Sequence, residues 1–373
     1  MPIYVYQGNK QISTNAIRNN RAVKAIYAKE QGTDVVCVWG IGLNLSPFTY
    51  TKDTTSITIT GLRPEVIWEH LTIPETIDNL PVTQIASNAF KDNTNFTSIE
   101  LPNSLKDIGY DAFRGCSGLT NIYYTGDIAG WCGISGLGNL MSYGLSSRTL
   151  YIGGNKVEGE LIIPDRVTTI PLYAFKGCTG LTSVTIGTNV TRVGFGAFSG
   201  CSSLESITIP FVGERAGVTS SDTYQYPFGH IFGTSSYTGG VETTQWYYEE
   251  NTAVVAYSHY YIPSSLKSVM VTGGNILYGA FSGCAELTSV TIPESVTSIG
   301  GRAFFDCSSL TNIAIPGSVT SIGYDAFRGC SGLTSITFNG TKAQWNAISK
   351  GSSWNSNTGN YTIHCTDGDI PKS

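Results

Sequence analysis

The chain has 373 residues, is 41% hydrophobic but only 13% charged, and carries a net charge of −5. The apolar fraction can fill a core, while charge far below the ~25% usual for soluble domains leaves Thr, Ser, Asn and Gly to solvate the surface. No cluster of Lys and Arg appears, which argues against nucleic acid or an anionic membrane as partner, and no apolar run approaches the roughly 20 residues of a membrane span.

The start, Met1-Pro2-Ile3-Tyr4-Val5-Tyr6, lacks the basic residues and apolar run of a signal peptide. Residues 1–60 show no repeat. Val23 to Tyr27 and Val35 to Trp39 flank Glu30-Gln31-Gly32-Thr33, a pattern that predicts a hairpin, and Ile57-x-Ile59 predicts a further strand. This segment is expected to be a β-rich cap or an attachment module; its run AIYAKEQGTDVVCVW loosely resembles short β modules of phage-tail and appendage proteins.

From about residue 61 to 340 the sequence is periodic. Ala-Phe recurs with Phe90, Phe113, Phe175, Phe198, Phe281, Phe304 and Phe327, at intervals of 23 residues broken by gaps of 62 and 83. A fixed period in this range means a stacked array whose units cannot bury their apolar faces alone. Between Phe304 and Phe327, Ile313-x-Ile315 alternates as a strand does, and Pro316 ends it. Val319 and Ile322 predict a tight turn or short helix beneath the strand. Leu71-x-Ile73-Pro74, Leu161-x-Ile163-Pro164 and Leu266…Val269-x-Val271 restore the frame inside the gaps, so roughly ten coils are expected.

Three residues after each phenylalanine stands Cys116, Cys178, Cys201, Cys284, Cys307 or Cys330, with Asn93 in the first copy. One slot shared by Cys and Asn is a turn position whose small side chain bonds to backbone, so these are expected to form a ladder of buried, unpaired thiols, and Cys307→Asn to be tolerated. Cys37, Cys132 and Cys365 lie outside it.

The run SVTSIGYDAFRGCSGLTSITF at 318–338 resembles the BspA-type, or Treponema-type, leucine-rich repeat family. The resemblance implies a right-handed curved α/β solenoid with one short strand per coil, on a bacterial surface or secreted, engaged in adhesion to host proteins or other cells. Caps at both ends and two insertions, at 125–160 and 211–265, complete the expected architecture, with 341–373 as the C-terminal cap.

The first insertion holds GDIAGWCGIS and a hairpin-like TLYIGGNKVEGELII turning at Gly153-Gly154-Asn155. GTKAQWNAIS near the end repeats it: Gly126 matches Gly340, Trp131 matches Trp345, Ile134 matches Ile348 and Ser135 matches Ser349, every pair at the same separation. The later copy is expected to cover the open face of the last coil.

The second insertion concentrates Tyr224, Tyr226, Phe228, Phe232, Tyr237, Trp246, Tyr247, Tyr248, Tyr257, Tyr260 and Tyr261 among Gly, Ser and Thr. Such a mixture suits a recognition loop, or else a satellite core folded against the array. Tyr224, Tyr226, Phe228, Tyr237, Trp246, Tyr247, Tyr248 and Tyr257 are the candidate partner-binding residues. The strand face (Thr182, Ser183, Thr185; Thr288, Ser289, Thr291; Thr334, Ser335, Thr337) is a neutral hydroxyl carpet marked only by Glu100 and Tyr123.

No catalytic, metal or cofactor constellation emerges. His70, His230, His259 and His364 fit no metal spacing, no Cys pair has the CxxC spacing, and GxSxG is absent. The expected function is non-enzymatic binding of a protein or glycan on a host or neighbouring cell. Two alternatives are an appendage subunit attached through residues 1–60 and an enzyme with a site in 211–265.

Overall fold

The computed structural model describes residues 47–63, 69–142, 148–221, 223–249 and 254–372, with the short strands Val5–Gln7, Lys10–Ile12, Tyr27–Lys29 and Val35–Cys37. The described residues form a β-solenoid of about 13 turns with little helix. More turns are present than the Ala-Phe count suggests, because both gaps contain full rungs. Helix among the described residues is confined to Ile128–Cys132, Gly138–Met141, Lys342–Ala347 and a 3-10 turn at Phe228–Ile231.

The main ladder is parallel and runs in two stretches. His70–Thr72, Ser98–Leu101, Asn121–Tyr124 and Thr149–Ile152 form the first. The second runs from Gly159–Ile163 through Leu181–Ile186, Ser206–Ile209, Ser268–Val271, Ser289–Thr291, Asn312–Ile315 and Ser335–Phe338 to Thr362–Cys365. The register advances by one repeat per coil, so Val290, Ile313 and Ile336 line up and are buried together. The first stretch ends in a hairpin, Tyr151 opposite Lys156, whose turn is Gly153-Gly154 alone; both have positive φ, as a two-residue hairpin turn of this hand requires. Asn155 belongs to the return strand, and Leu161 and Ile163 open the next stretch instead of closing the hairpin.

Several coils also carry a second, two-residue strand. Ser298–Ile299 pairs with Ser321–Ile322, which pairs with Ser349–Lys350. Ile322 therefore lies in a strand, where the sequence suggested a turn or short helix. Helix is blocked because the second residues before and after each ladder phenylalanine are left-handed: Asp111 and Gly115, Arg302 and Asp306, Asp325 and Gly329 all have φ between 53° and 79°. Gly323 allows the coils to close up here, since a Cβ on it would lie 2.3 Å from the backbone nitrogen of Gly301.

The phenylalanines stack along the core. Phe281 to Phe304 and Phe304 to Phe327 are 5.5 and 5.1 Å apart and within 10° of parallel. Phe90, Phe175, Phe281 and Phe304 donate their backbone N–H to the alanine carbonyl one coil ahead, as Phe304 does to Ala326 at 2.8 Å, while Phe327 donates to the Trp354 carbonyl. The hairpin Phe48–Lys52 with Ile57–Leu62 joins this array: Ile59 pairs with Ile85, and buried Phe48 extends the stack edge-on to Phe90 at 6.4 Å. The strand ladder thus begins inside the segment assigned to an N-terminal module. The predicted upstream hairpin is seen where Tyr27–Lys29 pairs with Val35–Cys37; its turn and the flanking residues Val23 to Ile26, Val38 and Trp39 lie outside the described residues.

The cysteines behave as a ladder. Cys116, Cys201, Cys307 and Cys330 each point their thiol at the carbonyl of the phenylalanine 26 residues earlier, at 3.1 to 3.3 Å. Cysteines 116, 132, 178, 201, 284, 307, 330 and 365 are free, and burial raises the pKa of the ladder thiols, that of Cys178 to about 12. Asn93 is half-buried and instead accepts from the Asn95 N–H, so it does not bridge coils. We expect Cys307→Asn to fold, with a urea midpoint below that of Cys307→Ser by the worth of one inter-coil bond, about 1 kcal/mol. Equal midpoints would show that an inter-coil bond from this slot contributes nothing.

The two helix-bearing units are equivalent in three dimensions. Buried Trp131 packs on Tyr124 at 5.6 Å and buried Trp345 on Phe338 at 5.2 Å, so the matched tryptophans rest on matched rings. Ser135 and Ser349 both enter the second ladder. The later unit is not the final layer. Trp354 follows it in the aromatic stack, 6.1 Å from Phe327, and Thr362–Cys365 adds a rung before Gly368–Pro371 turns back as the edge strand.

Candidate functional site

The segment between Ile209 and Ser268 is a single enlarged coil, because Ser206–Ile209 and Ser268–Val271 are adjacent rungs. Its inner part keeps the ladder chemistry without the Ala-Phe spelling. Phe198 donates its N–H to Ile231, Phe228 donates to Ala280, and the Phe228 ring lies 5.1 Å from Phe281. Gln245 adds side-chain bonds: it accepts from the Gly229 N–H within the coil, and its amide reaches the Ser282 carbonyl at 3.1 Å and the Cys284 sulfur at 3.3 Å in the next coil.

The outer part is an antiparallel hairpin, Gly240–Glu249 with Val254–Pro263. Alternation divides it into two faces. Thr243, Gln245, Tyr260 and Ile262 are buried against the coil; Trp246, Tyr248, Tyr257, His259 and Tyr261 lie on the other face. Tyr248 and Tyr257 are 37% and 54% exposed, and Tyr224, on the neighbouring loop, is 51% exposed.

The candidate residues therefore separate. Phe228 is fully buried and Tyr226 nearly so. Tyr226 bonds to the Asn275 carbonyl and the Leu277 N–H, and burial raises its hydroxyl pKa. Tyr237 is half-buried and donates to the Tyr261 carbonyl. The core position of Tyr226 and Phe228 removes them from any partner-facing surface, and Tyr247 sits half-buried on the inward side. Tyr224, Trp246, Tyr248 and Tyr257 remain.

Beyond the hairpin, the aromatic surface continues onto the flank of the coils. Trp246 and Tyr257 are 5.2 Å apart, and the Arg302 guanidinium lies 5.0 Å over Trp246, 5.5 Å over Phe305 and 5.9 Å over Tyr324. Tyr324 meets Tyr278 at 5.9 Å, and Tyr278 meets Tyr248 at 6.3 Å. Arg302 holds a left-handed backbone, φ 54°, where most other coils place Gly, Asp or Asn. That costs roughly 1 kcal/mol or more; the guanidinium lies against the three rings with the Asp325 carboxylate 3.7 Å away. Tyr278, Tyr324 and Arg302 escaped the sequence reading. The signal for the tyrosines was the position three before the ladder phenylalanine, which holds Tyr110, Leu172, Phe195, Tyr278 and Tyr324, with Ser87 and Gly301 in the other copies.

The strand face is quieter. Thr311 and Thr334 donate their hydroxyls to the carbonyls of Thr288 and Thr311 one coil back, so these hydroxyls serve the backbone and do not pair with one another. In the first stretch Tyr123 stacks on Tyr151 at 4.5 Å and 13°, with His70 edge-on to Tyr123 at 5.6 Å. Among the described residues no group of three or more His, Cys, Asp or Glu could hold a metal ion. No helix among them is long and apolar enough to cross a membrane.

Several solved structures resemble the chain. A leucine rich cell surface protein of Faecalibacterium prausnitzii is 22% identical over 82% of this chain and 96% of its own, with a TM-score of 0.28. A leucine-rich repeat protein of Bacteroides ovatus is 22% identical over 85% and 92%, also at 0.28. The pneumococcal vaccine antigen PcpA is 16% identical over 89% and 88%, at 0.30. No curated protein matches. The BspA type leucine rich repeat region matches in six copies, over residues 66–130, 155–223 and 255–372. Those segments hold the stacked phenylalanines and the thiol ladder described above, and the chain belongs to the BspA-type leucine-rich repeat family.

Proposed function

We propose that the chain is a non-enzymatic binding protein of the bacterial surface or secreted space, and that it engages a protein or glycan of a host or neighbouring cell. The observation that carries this reading is the aromatic belt from Tyr257 through Trp246, Arg302 and Tyr324 to Tyr278 and Tyr248. Tyrosine, tryptophan and arginine on a rigid support are the residue types that dominate binding energy. The hairpin beneath them is fixed by the buried Gln245 and Tyr260, so little ordering entropy is lost on docking.

Deleting the whole segment would remove Phe228 from the core, so point variants make the better test. Labelled protein is applied to cultured epithelial cells and to bacterial cells. Bound signal is expected to fall at least roughly tenfold in Tyr248→Ala/Tyr257→Ala, with the thermal midpoint unchanged. Undiminished binding by that folded variant would sink the belt as the contact surface.

A further inference from the structure

A cavity of about 480 Å³ lies where the enlarged coil meets the flank of the two preceding coils, within the roughly 300–1,000 Å³ of small-ligand sites. Leu172, Arg192, Phe195, Glu214, Tyr224 and His230 line it. His230 is 2% exposed, and neither of its ring nitrogens has a hydrogen-bond partner. Two unpaired buried polar atoms on one ring are costly. Burial lowers its pKa to about 4, so near neutral pH the ring is uncharged and offers one donor and one acceptor.

The remaining polar groups balance. Arg192 pairs with the nearly buried Glu214 carboxylate at the rim, supplying further donors and acceptors with no net charge. Phe195 and the half-exposed Tyr224 add apolar ring faces. The walls are tied by backbone bonds: Val193 N–H to Glu214 at 2.6 Å, Glu214 N–H to Gln225 at 2.9 Å, and Gly196 N–H to His230 at 2.9 Å.

We propose that this cavity binds a neutral saccharide ring, whose hydroxyls meet His230 and the Arg192–Glu214 pair and whose C–H face lies against Tyr224 and Phe195. A hydroxyl both donates and accepts, which is what the two faces of a neutral imidazole and a compensated ion pair require. A purely apolar ligand would leave both His230 nitrogens unpaired. An anionic one would meet an arginine already neutralised by Glu214. The proposal rests on the reading of the chain as a binding protein, and it names a ligand class at residues separate from the aromatic belt.

The test is saturation-transfer NMR on the full chain with methyl α-mannoside, methyl β-galactoside and the methyl β-glycoside of N-acetylglucosamine, with N-acetylneuraminic acid as the acidic comparison. At least one neutral glycoside is expected to bind. Its affinity should fall roughly tenfold or more in Arg192→Ala and in Tyr224→Ala, both exposed positions that leave the core intact, and hold in Tyr248→Ala/Tyr257→Ala. No transfer to any neutral glycoside (a cavity holding water only), transfer to the acidic sugar alone, or binding undiminished in Arg192→Ala would overturn it. Cell binding lost only in the belt variant would still stand as support for the broader reading, so the two failures are distinguishable.

Discussion

Phe228→Ala is expected to destabilise the protein by about 3–5 kcal/mol, the same range as Phe304→Ala, because both remove a ring from one continuous aromatic stack. Phe228 is fully buried, 5.3 Å from Phe232 and 5.1 Å from Phe281, and its N–H holds the Ala280 carbonyl at 3.0 Å. The neighbouring coils close-pack on both sides, so the lost ring leaves a cavity that they fill only in part. Tyr257→Ala, which clears a 54% exposed ring from the outer face of the same coil, should stay within about 1 kcal/mol of the parent. Urea unfolding of the three variants orders them. A neutral Phe228→Ala, or one that loses partner binding at full stability, would return Phe228 to the recognition surface where its composition first placed it.

That contrast shows where the sequence was legible. The coil, its stacked phenylalanines and the thiol slot could be read because the phenylalanine recurs seven times, from Phe90 to Phe327, and the thiol behind it six. The enlarged coil could not, because it satisfies the geometry with other residues. Ile231 takes the place of an alanine carbonyl and Gln245 that of a backbone rung. The left-handed positions beside each phenylalanine were hidden for a similar reason: Tyr173 and Arg302 occupy a conformation that Gly, Asn and Asp announce elsewhere. The two-residue strands at Ser298–Ile299 and Ser321–Ile322 are too short to show alternation.

At the candidate site the aromatics were visible as a group but not as individuals. Alternation along Thr243-Thr244-Gln245-Trp246-Tyr247-Tyr248 sets Gln245 inward and Trp246 and Tyr248 outward. A sequence reading that fixed the hairpin register would have sorted them. Arg302 and Tyr324 lie far beyond Trp246 in the chain, in later repeats, and only stacking brings them to it. The partnerless His230 ring was unforeseeable, since it depends on what the fold leaves out of reach.

His230 also imposes a pH dependence with a definite sign. Its folded pKa, about 4, lies below the ordinary value of 6.5, chiefly through burial and secondarily through Arg192, with Glu214 opposing. A depressed histidine favours the folded state while the ring is neutral in both states, above pH 6.5. As pH falls below that value the unfolded chain takes up a proton that the folded chain refuses, so stability declines down to about pH 4 and then levels. The full window amounts to about 3 kcal/mol, of which about 2 should be gone by pH 5. Asp53, Asp78 and Asp127 have lowered pKa values, through hydrogen bonds to Thr55, Lys52 and Gly130 in turn. Their contributions are lost only as pH falls past the unfolded carboxylate value near ~3.9, so they leave the interval from pH 7 to 5 to the histidine. Urea midpoints of the wild type should fall across that interval, while those of His230→Gln, which cannot titrate, should stay nearly flat. Parallel slopes for the two proteins would mean that the ring accepts its proton in the folded state and that its burial costs far less than the geometry implies.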